Sequence, residues 1–201
     1  ISSDGIVIEA GATNHWATGS YIPAPRPTSV FDRDLGRTLT YGTDYTYSGA
    51  NMRKDPGIYT ITVAGMGNYS GYARYSWTIV NPASSTTVEG VPVPNAWLKE
   101  KGIPISDGVE AALSAQTGKT TASGHPLSVW EEYVQGTDPN DPNDRFEANV
   151  TIVDGKPVVT YTPDLGEERT YTILGSTDLK TWKPTEEGDG SRYFKVKVDL
   201  K

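Results

Sequence analysis

Apolar and polar residues alternate along several short segments in the first part of the chain. Within 59–63 and within 75–79, aromatic and aliphatic residues are separated by threonine or serine. A period of two is typical of a strand with one buried face. The glycine-rich stretch 65–71 predicts a turn between these strands, and Gly42 breaks the chain before a further strand at 45–47. No segment here has a helical period, so this part is predicted to be all β.

Residues 83–94 differ in composition from the segments on either side. The sequence ASSTTVEGVPVP passes from small polar residues to two prolines, Pro92 and Pro94. Such a composition favours an extended, semi-rigid path. We therefore predict a linker at 83–94, between a first domain at 1–82 and a second domain at 95–201.

The second domain begins with three short helical patterns. One covers 96–101, a second begins near Asp107 with Glu110 at the spacing of a capping box, and a third covers 126–136. Helices this short need tertiary packing to be stable. We expect them to pack on the strands that follow, through the apolar residues Trp97, Leu113, Leu127, Trp130 and Val134.

Apolar and polar residues alternate again after the three helical segments. Apolar residues occupy every second position from 146 to 152, and Asp154-Gly155 is a hairpin-turn signal that precedes a further strand at 158–161. The segment 193–200 places its aliphatic residues on one face and its charged residues on the other. The second domain is therefore predicted to end in a set of strands with one buried face.

The segment 36–80 has the sequence GRTLTYGTDYTYSGANMRKDPGIYTITVAGMGNYSGYARYSWTIV. This segment resembles the bacterial immunoglobulin-like repeats of surface and secreted proteins. The resemblance lies in the order of its motifs: L-x-x-G-T-D-Y, then a strand begun by glycine, then G-x-G-N-Y-x-G and a final aromatic strand. The resemblance covers about residues 20–80 and implies an immunoglobulin-like β-sandwich. It implies little chemistry, because such repeats serve as spacers, stalks and adhesive modules alike.

The second half resembles a carboxy-terminal module of large secreted or surface bacterial proteins. The resemblance is carried by VWEEYVQGTDPNDPNDRF, by KPVVTYTPDLGEERTYTILGSTDLKTWKP and by YFKVKV. In that module a helix ending in E-Y-x-x-G-T-D-P-x-D-P leads into a small β-sandwich. The predicted fold is therefore mainly β, with an immunoglobulin-like β-sandwich and a second small β-sandwich preceded by short α-helices.

Composition narrows the class of protein. The 201 residues include no cysteine, which excludes disulfides and thiolate chemistry. Small extracellular eukaryotic domains usually carry disulfides, so a cysteine-free β-protein indicates a secreted or cell-surface bacterial setting, and a cytosolic origin is the compatible alternative. No apolar run approaches the length of a membrane span, and we expect no membrane insertion. Because the chain begins with Ile1 rather than Met, we expect adjoining domains of a longer chain as partners.

The net charge of −7 is unevenly distributed along the chain. Residues 1–82 contain six acidic and six basic residues, whereas residues 83–201 contain nineteen acidic and twelve basic residues. The contrast supports a division into two domains. It also argues against nucleic acid as a partner, because no basic stripe is present to replace phosphate counterions. The acidic excess is expected to serve solubility.

The sharpest candidate for ligand binding is the acidic, proline-stiffened segment DPNDPND at 138–144. Ca²⁺ prefers carboxylate and amide oxygens, which are dense in this segment. Relatives of the module often carry a calcium-type D-x-D-x-D-G loop before the helix. The equivalent stretch here, 120–125, keeps the glycine but has no acid, so a plain turn capped by Asp138 is the alternative. The candidate calcium ligands are Asp138, Asn140, Asp141, Asn143 and Asp144.

Aromatic residues suggest a second hypothesis, carbohydrate binding by the first domain. A row of exposed rings could stack on sugars and bind an extracellular glycan. The alternation of Tyr45, Tyr59, Tyr75 and Trp77 places those rings in the core instead. The residues that remain as candidates for a sugar-binding platform are Trp16, Tyr21, Tyr41, Tyr69 and Tyr72.

No catalytic constellation is evident. His15 and His125 are distant from any nucleophile motif. The adjacent acids Glu131–Glu132 and Glu186–Glu187 point apart on a helix or strand, and we expect them to be solvated. The sequence therefore predicts a non-catalytic spacer or interaction module that binds other domains or an extracellular protein. The alternative is an ancillary carbohydrate-binding segment of a larger secreted enzyme.

Overall fold

The computed structural model describes residues 5–185 and 190–201. The fold is mainly β, with several sheets and a few short helices, and it belongs to the β-sandwich class as expected. Two compact units are present. One comprises the chain up to Thr86 together with Pro94–Ala112, and the other comprises Thr87–Val93 and the chain from Leu113 onward. None of the helices in the described residues is long and apolar enough to cross a membrane.

The first unit is built from two sheets. One has the strand order β1-β3-β4 and the other the order β2-β7-β6-β5, in which β2 runs parallel to β7. The strands are β1 (Ile6–Ala10), β2 (Asn14–Trp16), β3 (Pro27–Asp32), β4 (Arg37–Thr38), β5 (Tyr45–Ser48), β6 (Gly57–Gly65) and β7 (Tyr72–Val80).

The core of the first unit follows the alternation in the sequence. Ile61 and Val63 of β6 are fully buried, while Ile58 on the opposite face is exposed. Val63 packs in one cluster with Val30 of β3, so the two sheets share an apolar interior. Trp77 of β7 is buried beside Ile61 in a second cluster. Burial of these side chains is the main stabilising contribution to this unit.

The predicted linker at 83–94 is occupied by a β-hairpin. Its strands are β8 (Ser85–Val88) and β9 (Val91–Pro94), and the division between the two units passes through it. Asn95, which follows β9, is buried; its side-chain amide donates to the Asn81 carbonyl oxygen and to Ser84 Oγ. Residues next to the hairpin are therefore held by specific hydrogen bonds.

The described residues contain three short α-helices in the region where three were predicted, although their bounds and placement differ, and one 3-10 turn at Gly166–Glu168. The α-helices are α1 (Asn95–Glu100), α2 (Val109–Ser114) and α3 (Val129–Gln135). The sequence placed α1 with the carboxy-terminal strands, whereas α1 belongs to the first unit, where Lys99 Nζ donates to the Ala17 carbonyl oxygen. Helix α3 begins at Val129 rather than Pro126, because Pro126–Ser128 pairs as a strand.

Both ends of α3 are capped. Ser128 and Glu131 form a reciprocal capping box at its first turn, and Gly136 ends it in a left-handed conformation with φ of 77°. Arg169 is buried beyond this end; its Nε donates to the Val134 carbonyl oxygen and its Nη2 to that of Tyr133. These bonds satisfy carbonyl groups that a helix end leaves unpaired.

From Leu113 onward, the described part of the second unit forms three small sheets, with pairings β10-β11, β12-β13 and β15-β14-β16. The strands are β10 (Gln116–Thr120), β11 (Pro126–Ser128), β12 (Glu147–Val153), β13 (Lys156–Thr162), β14 (Arg169–Ser176), β15 (Lys183–Pro184) and β16 (Tyr193–Leu200). The predicted turn between β12 and β13 is observed, with Asp154 at φ 51° and Gly155 at φ 77°.

Burial in the second unit matches the sequence pattern only in part. Leu113, Leu127 and Val134 are buried as expected. Trp130 is half-buried, and with Val134 it lines a cleft of about 360 Å³ together with residues of β16. Strand β12 differs most, since its residues are exposed on both faces. Its alternating pattern therefore predicted the strand but not a buried face.

Candidate functional site

A buried ion pair joins Lys119 of β10 to Glu132 of α3. The Lys119 ammonium Nζ lies 2.7 Å from Glu132 Oε2, and the side chains are 3% and 0% exposed. Glu132 was expected to be solvated, and the structure corrects that expectation. The other predicted pair, Glu186–Glu187, lies outside the described residues. A charge pair removed from water is stable only when its remaining hydrogen-bonding capacity is satisfied.

The 138–144 loop supplies further partners for the Lys119 ammonium. Nζ donates to the carbonyl oxygens of Asp138 at 2.8 Å, Asp144 at 2.7 Å and Asp141 at 3.3 Å. These carbonyls recur every third residue because the loop repeats the triplet Asp-Pro-Asn. Two successive turns, closed by the amides of Asp141 and Asp144, place them on one side of the loop.

Two threonines satisfy the remaining acceptors of Glu132. Thr117 Oγ1 donates to Oε1 at 2.9 Å, and Thr137 Oγ1 donates to Oε2. Thr137 is itself buried. The cluster thus connects a strand, a helix and a loop through one ammonium and one carboxylate, both of which are fully hydrogen-bonded. We call Lys119, Glu132, Thr117, Thr137 and the three loop carbonyls the ammonium cluster.

The carboxylates of the predicted calcium ligands are bonded to backbone amides of this loop. Asp138 Oδ1 accepts from the Asn140 amide, Asp141 Oδ1 from the Asn143 amide, and Asp144 Oδ2 from the Asp138 amide. Each aspartate thus stabilises a turn of its own loop. Within the described residues, no three side chains of His, Cys, Asp or Glu are grouped as a metal site would require.

The stretch 120–125 forms the turn between β10 and β11. The Thr121 amide donates to the His125 carbonyl oxygen, and the His125 amide donates to Thr121 Oγ1. His125 Nε2 lies 3.0 Å from Glu131 Oε1. Burial opposes ionisation of Glu131, but hydrogen bonds from Ser128 and His125 outweigh it and lower the pKa of this carboxyl. This segment therefore contributes to the start of α3.

A second polar cluster lies in the first unit and uses the residues of the repeat-like motif. The Tyr69 hydroxyl donates to Asp32 Oδ2 at 3.2 Å and accepts from the Arg37 guanidinium. Arg37 also lies 3.3 Å from Asp44 Oδ1. The Leu35 amide is the main cause of a lowered pKa at Asp32, with burial opposing it. The motif side chains thus hold loops of the fold together.

The glycines of the motif allow two loops to approach closely. The Met66 amide donates to the Asp44 carbonyl oxygen at 2.8 Å. A Cβ at Gly67 would lie 3.0 Å from the Thr43 carbonyl oxygen, and a Cβ at Gly65 would lie 2.8 Å from the backbone of Tyr69. The motif therefore requires glycine for backbone packing.

The five aromatic candidates for sugar binding occupy different environments. Tyr21, Tyr41 and Tyr72 are 63%, 57% and 57% exposed. Lys54 lies over the ring of Tyr21 and Arg74 over that of Tyr72, while Tyr41 contacts the rings of Tyr45 and Tyr47. Trp16 is half-buried in β2, and Tyr69 belongs to the polar cluster described above.

One aromatic group in the second unit was not predicted. The rings of Tyr161 and Tyr171 are stacked with centroids 4.3 Å apart, and Phe146 stacks beside them at 6.2 and 6.3 Å. The Tyr171 hydroxyl accepts from the Leu165 amide. The three residues are far apart in sequence, so no local pattern could have grouped them.

The chain was compared with protein-family models, with curated proteins and with solved structures. None of the three comparisons finds a match.

Proposed function

We propose that this chain is a non-catalytic spacer or interaction module of a secreted or cell-surface bacterial protein, joined to other domains of a longer chain. The proposal rests on how the chain uses its polar side chains. The buried ionisable side chains Lys119 and Glu132 are bonded to each other, Lys119 also to backbone carbonyls and Glu132 also to threonine hydroxyls. A lysine or glutamate held this way is not available to a substrate.

The ammonium cluster is the observation that carries the proposal. It connects β10, α3 and the 138–144 loop through hydrogen bonds of 2.7 to 2.9 Å, in each of which the donor or the acceptor is charged. Charged hydrogen bonds removed from water are stronger than neutral ones. A module that transmits force or separates neighbouring domains needs such internal connections more than it needs a binding pocket.

The first unit supports the same proposal. Asp44 and Tyr69 are polar residues of the motif, and their side chains bond to Arg37 and Asp32 of the same unit. Its glycines serve close backbone packing. The residues of the repeat-like motif therefore serve to hold the fold together, as a spacer or stalk requires.

Single-molecule stretching of the chain between its two ends tests the spacer function. We expect discrete unfolding steps, one of which moves to lower force in the variant Lys119→Met, since the methionine removes the ammonium. Lys180→Met, at an exposed position of the same unit, is the matched control and should leave that step unchanged. Extension without resolved steps would contradict a force-resisting role.

Carbohydrate binding is the second candidate function, and the exposure of Tyr21, Tyr41 and Tyr72 favours it. Binding of the native chain to a panel of extracellular polysaccharides is the test. A glycan whose affinity falls at least about tenfold in Tyr41→Ala or Tyr72→Ala would support this candidate. Ile58→Ala, at an exposed strand position, is the control. Absence of binding to the panel would leave the spacer function as the better account.

A further inference from the structure

We propose that the 138–144 loop is a cation site that the chain fills with its own Lys119 ammonium, and that Ca²⁺ occupies this place once Lys119 is shortened to alanine. The composition of the 138–144 loop, which follows α3, predicts Ca²⁺ as its ligand. The residues present do not fit that metal in the native chain, because the cationic position is already taken by Lys119.

The oxygens around Nζ have the character of a hard-cation site. Three are backbone carbonyls, of Asp138, Asp141 and Asp144, and the fourth is the Glu132 carboxylate. Ca²⁺ is bound by carbonyl and carboxylate oxygens of this kind and takes six to eight of them. The proposed ligands are therefore these carbonyls and Glu132, with water completing the shell, rather than the aspartate side chains.

The regular spacing of the carbonyl groups along the loop explains why one small cation can bind several of them. The Asp-Pro-Asn repeat presents a carbonyl at each third residue, and the aspartate side chains fix each turn through backbone amides. Prolines reduce the number of conformations that the loop loses on ordering. Removing the ammonium would leave the buried Glu132 carboxylate and the three loop carbonyls without their positive partner, which is costly unless another cation enters.

The native ammonium should exclude a metal for two reasons. The Lys119 side chain is 3% exposed and fills the space between β10 and the loop. Displacing it would require the ammonium to lose its bonds to the carboxylate and to the carbonyls at once. The native chain is therefore expected to be independent of Ca²⁺.

The test is thermal unfolding of the full chain in millimolar Ca²⁺ and in chelator, together with equilibrium dialysis for calcium stoichiometry. The native midpoint should not change, and no calcium should be retained. Lys119→Ala should unfold at a lower temperature in chelator, regain several degrees in Ca²⁺ and retain about one ion per chain, since a ligand that binds only the folded state raises the midpoint. If this variant is unfolded in chelator, its folding on addition of Ca²⁺ is the equivalent result.

Two further variants separate a cation site from general stabilisation. In Lys119→Met an apolar chain of similar length occupies the space, so Ca²⁺ should not restore its midpoint. In Lys119→Ala/Glu132→Gln the carboxylate ligand is lost, and restoration should also be lost. The proposal is overturned if Ca²⁺ raises the native midpoint. It is equally overturned if Lys119→Ala gains nothing from Ca²⁺, or if Lys119→Met gains as much as Lys119→Ala.

Discussion

The Lys119 ammonium and the Glu132 carboxylate are 2.7 Å apart and excluded from solvent, although one residue lies on a strand and the other on a helix. Thr117 and Thr137 donate to the carboxylate, and three loop carbonyls accept from the ammonium. The pair therefore fixes the position of α3 relative to β10 and to the 138–144 loop.

Replacement of Gly136 by alanine is expected to destabilise the second unit. Gly136 has φ of 77°, and a Cβ there would lie 2.5 Å from Leu165 Cδ1. A left-handed conformation costs a residue other than glycine about 1–3 kcal/mol, and the contact with Leu165 adds to this. Denaturant unfolding of the full chain measures the loss.

Gly155→Ala is the matched control for that variant. Gly155 also has φ of 77°, but nothing lies within 4 Å of a Cβ at this position. The control should therefore show the conformational cost alone and lose less stability than Gly136→Ala. Equal losses in the two variants would show that Leu165 moves away without cost.

The Glu131 carboxyl is expected to make stability depend on pH in the acidic range. Its pKa lies below the ordinary value of 4.5 in the folded chain, so its contribution is present above that value and is lost as the pH falls through the lowered pKa. The difference in unfolding free energy between the native chain and Glu131→Gln should shrink over this range. Glu147→Gln, at an exposed strand position, should show no such change.

Tyr75 is expected to make the first unit sensitive to alkaline pH. Burial, with smaller effects of Tyr47 and Tyr45, raises the pKa of Tyr75 from 10 to about 12, and its hydroxyl donates to the Pro25 carbonyl oxygen. The neutral phenol is thus favoured in the folded state. Its contribution is present below pH 10 and is lost between 10 and about 12.

Unfolding measured from about pH 9 to about pH 12, a range that spans the titration of the phenol, tests this. The native chain should lose more stability over this range than Tyr75→Phe, which cannot ionise. Tyr72→Phe, at an exposed position, should follow the native chain. If the unfolding free energy of the native chain falls with pH no faster than that of Tyr75→Phe, ionisation of Tyr75 is not the cause of the alkaline sensitivity.

The strands were predictable because their side-chain period is local. The segments 59–63 and 75–79 lie in β6 and β7, and the Asp154-Gly155 turn was found from its residue types alone. The start of α3 was predicted wrongly because Pro126 at a first helical position competed with the capping box Ser128–Glu131. The capping box decides the boundary, since β11 pairs Pro126 and Ser128 with β10.

The ammonium cluster could not be predicted, because its members lie on three separate elements. Glu132 stands beside Glu131 in the sequence, yet only Glu131 reaches the surface, where it caps α3. A partial signal did exist. The stretch 120–125 lacks acids, and Lys119 directly precedes it. A lysine beside an acid-free stretch, and close in sequence to an oxygen-rich loop, could have indicated that its ammonium is the cation bound by that loop.

A double-mutant cycle on Lys119 and Glu132 tests most directly the claim that these residues act together to hold the second unit. Lys119→Met and Glu132→Gln are each expected to cost about 3–5 kcal/mol in denaturant unfolding, because each leaves a buried charge without its partner. The double variant should cost less than the sum by about 1–3 kcal/mol. Losses that add to within about 0.5 kcal/mol would show that the two residues act independently and would contradict the account.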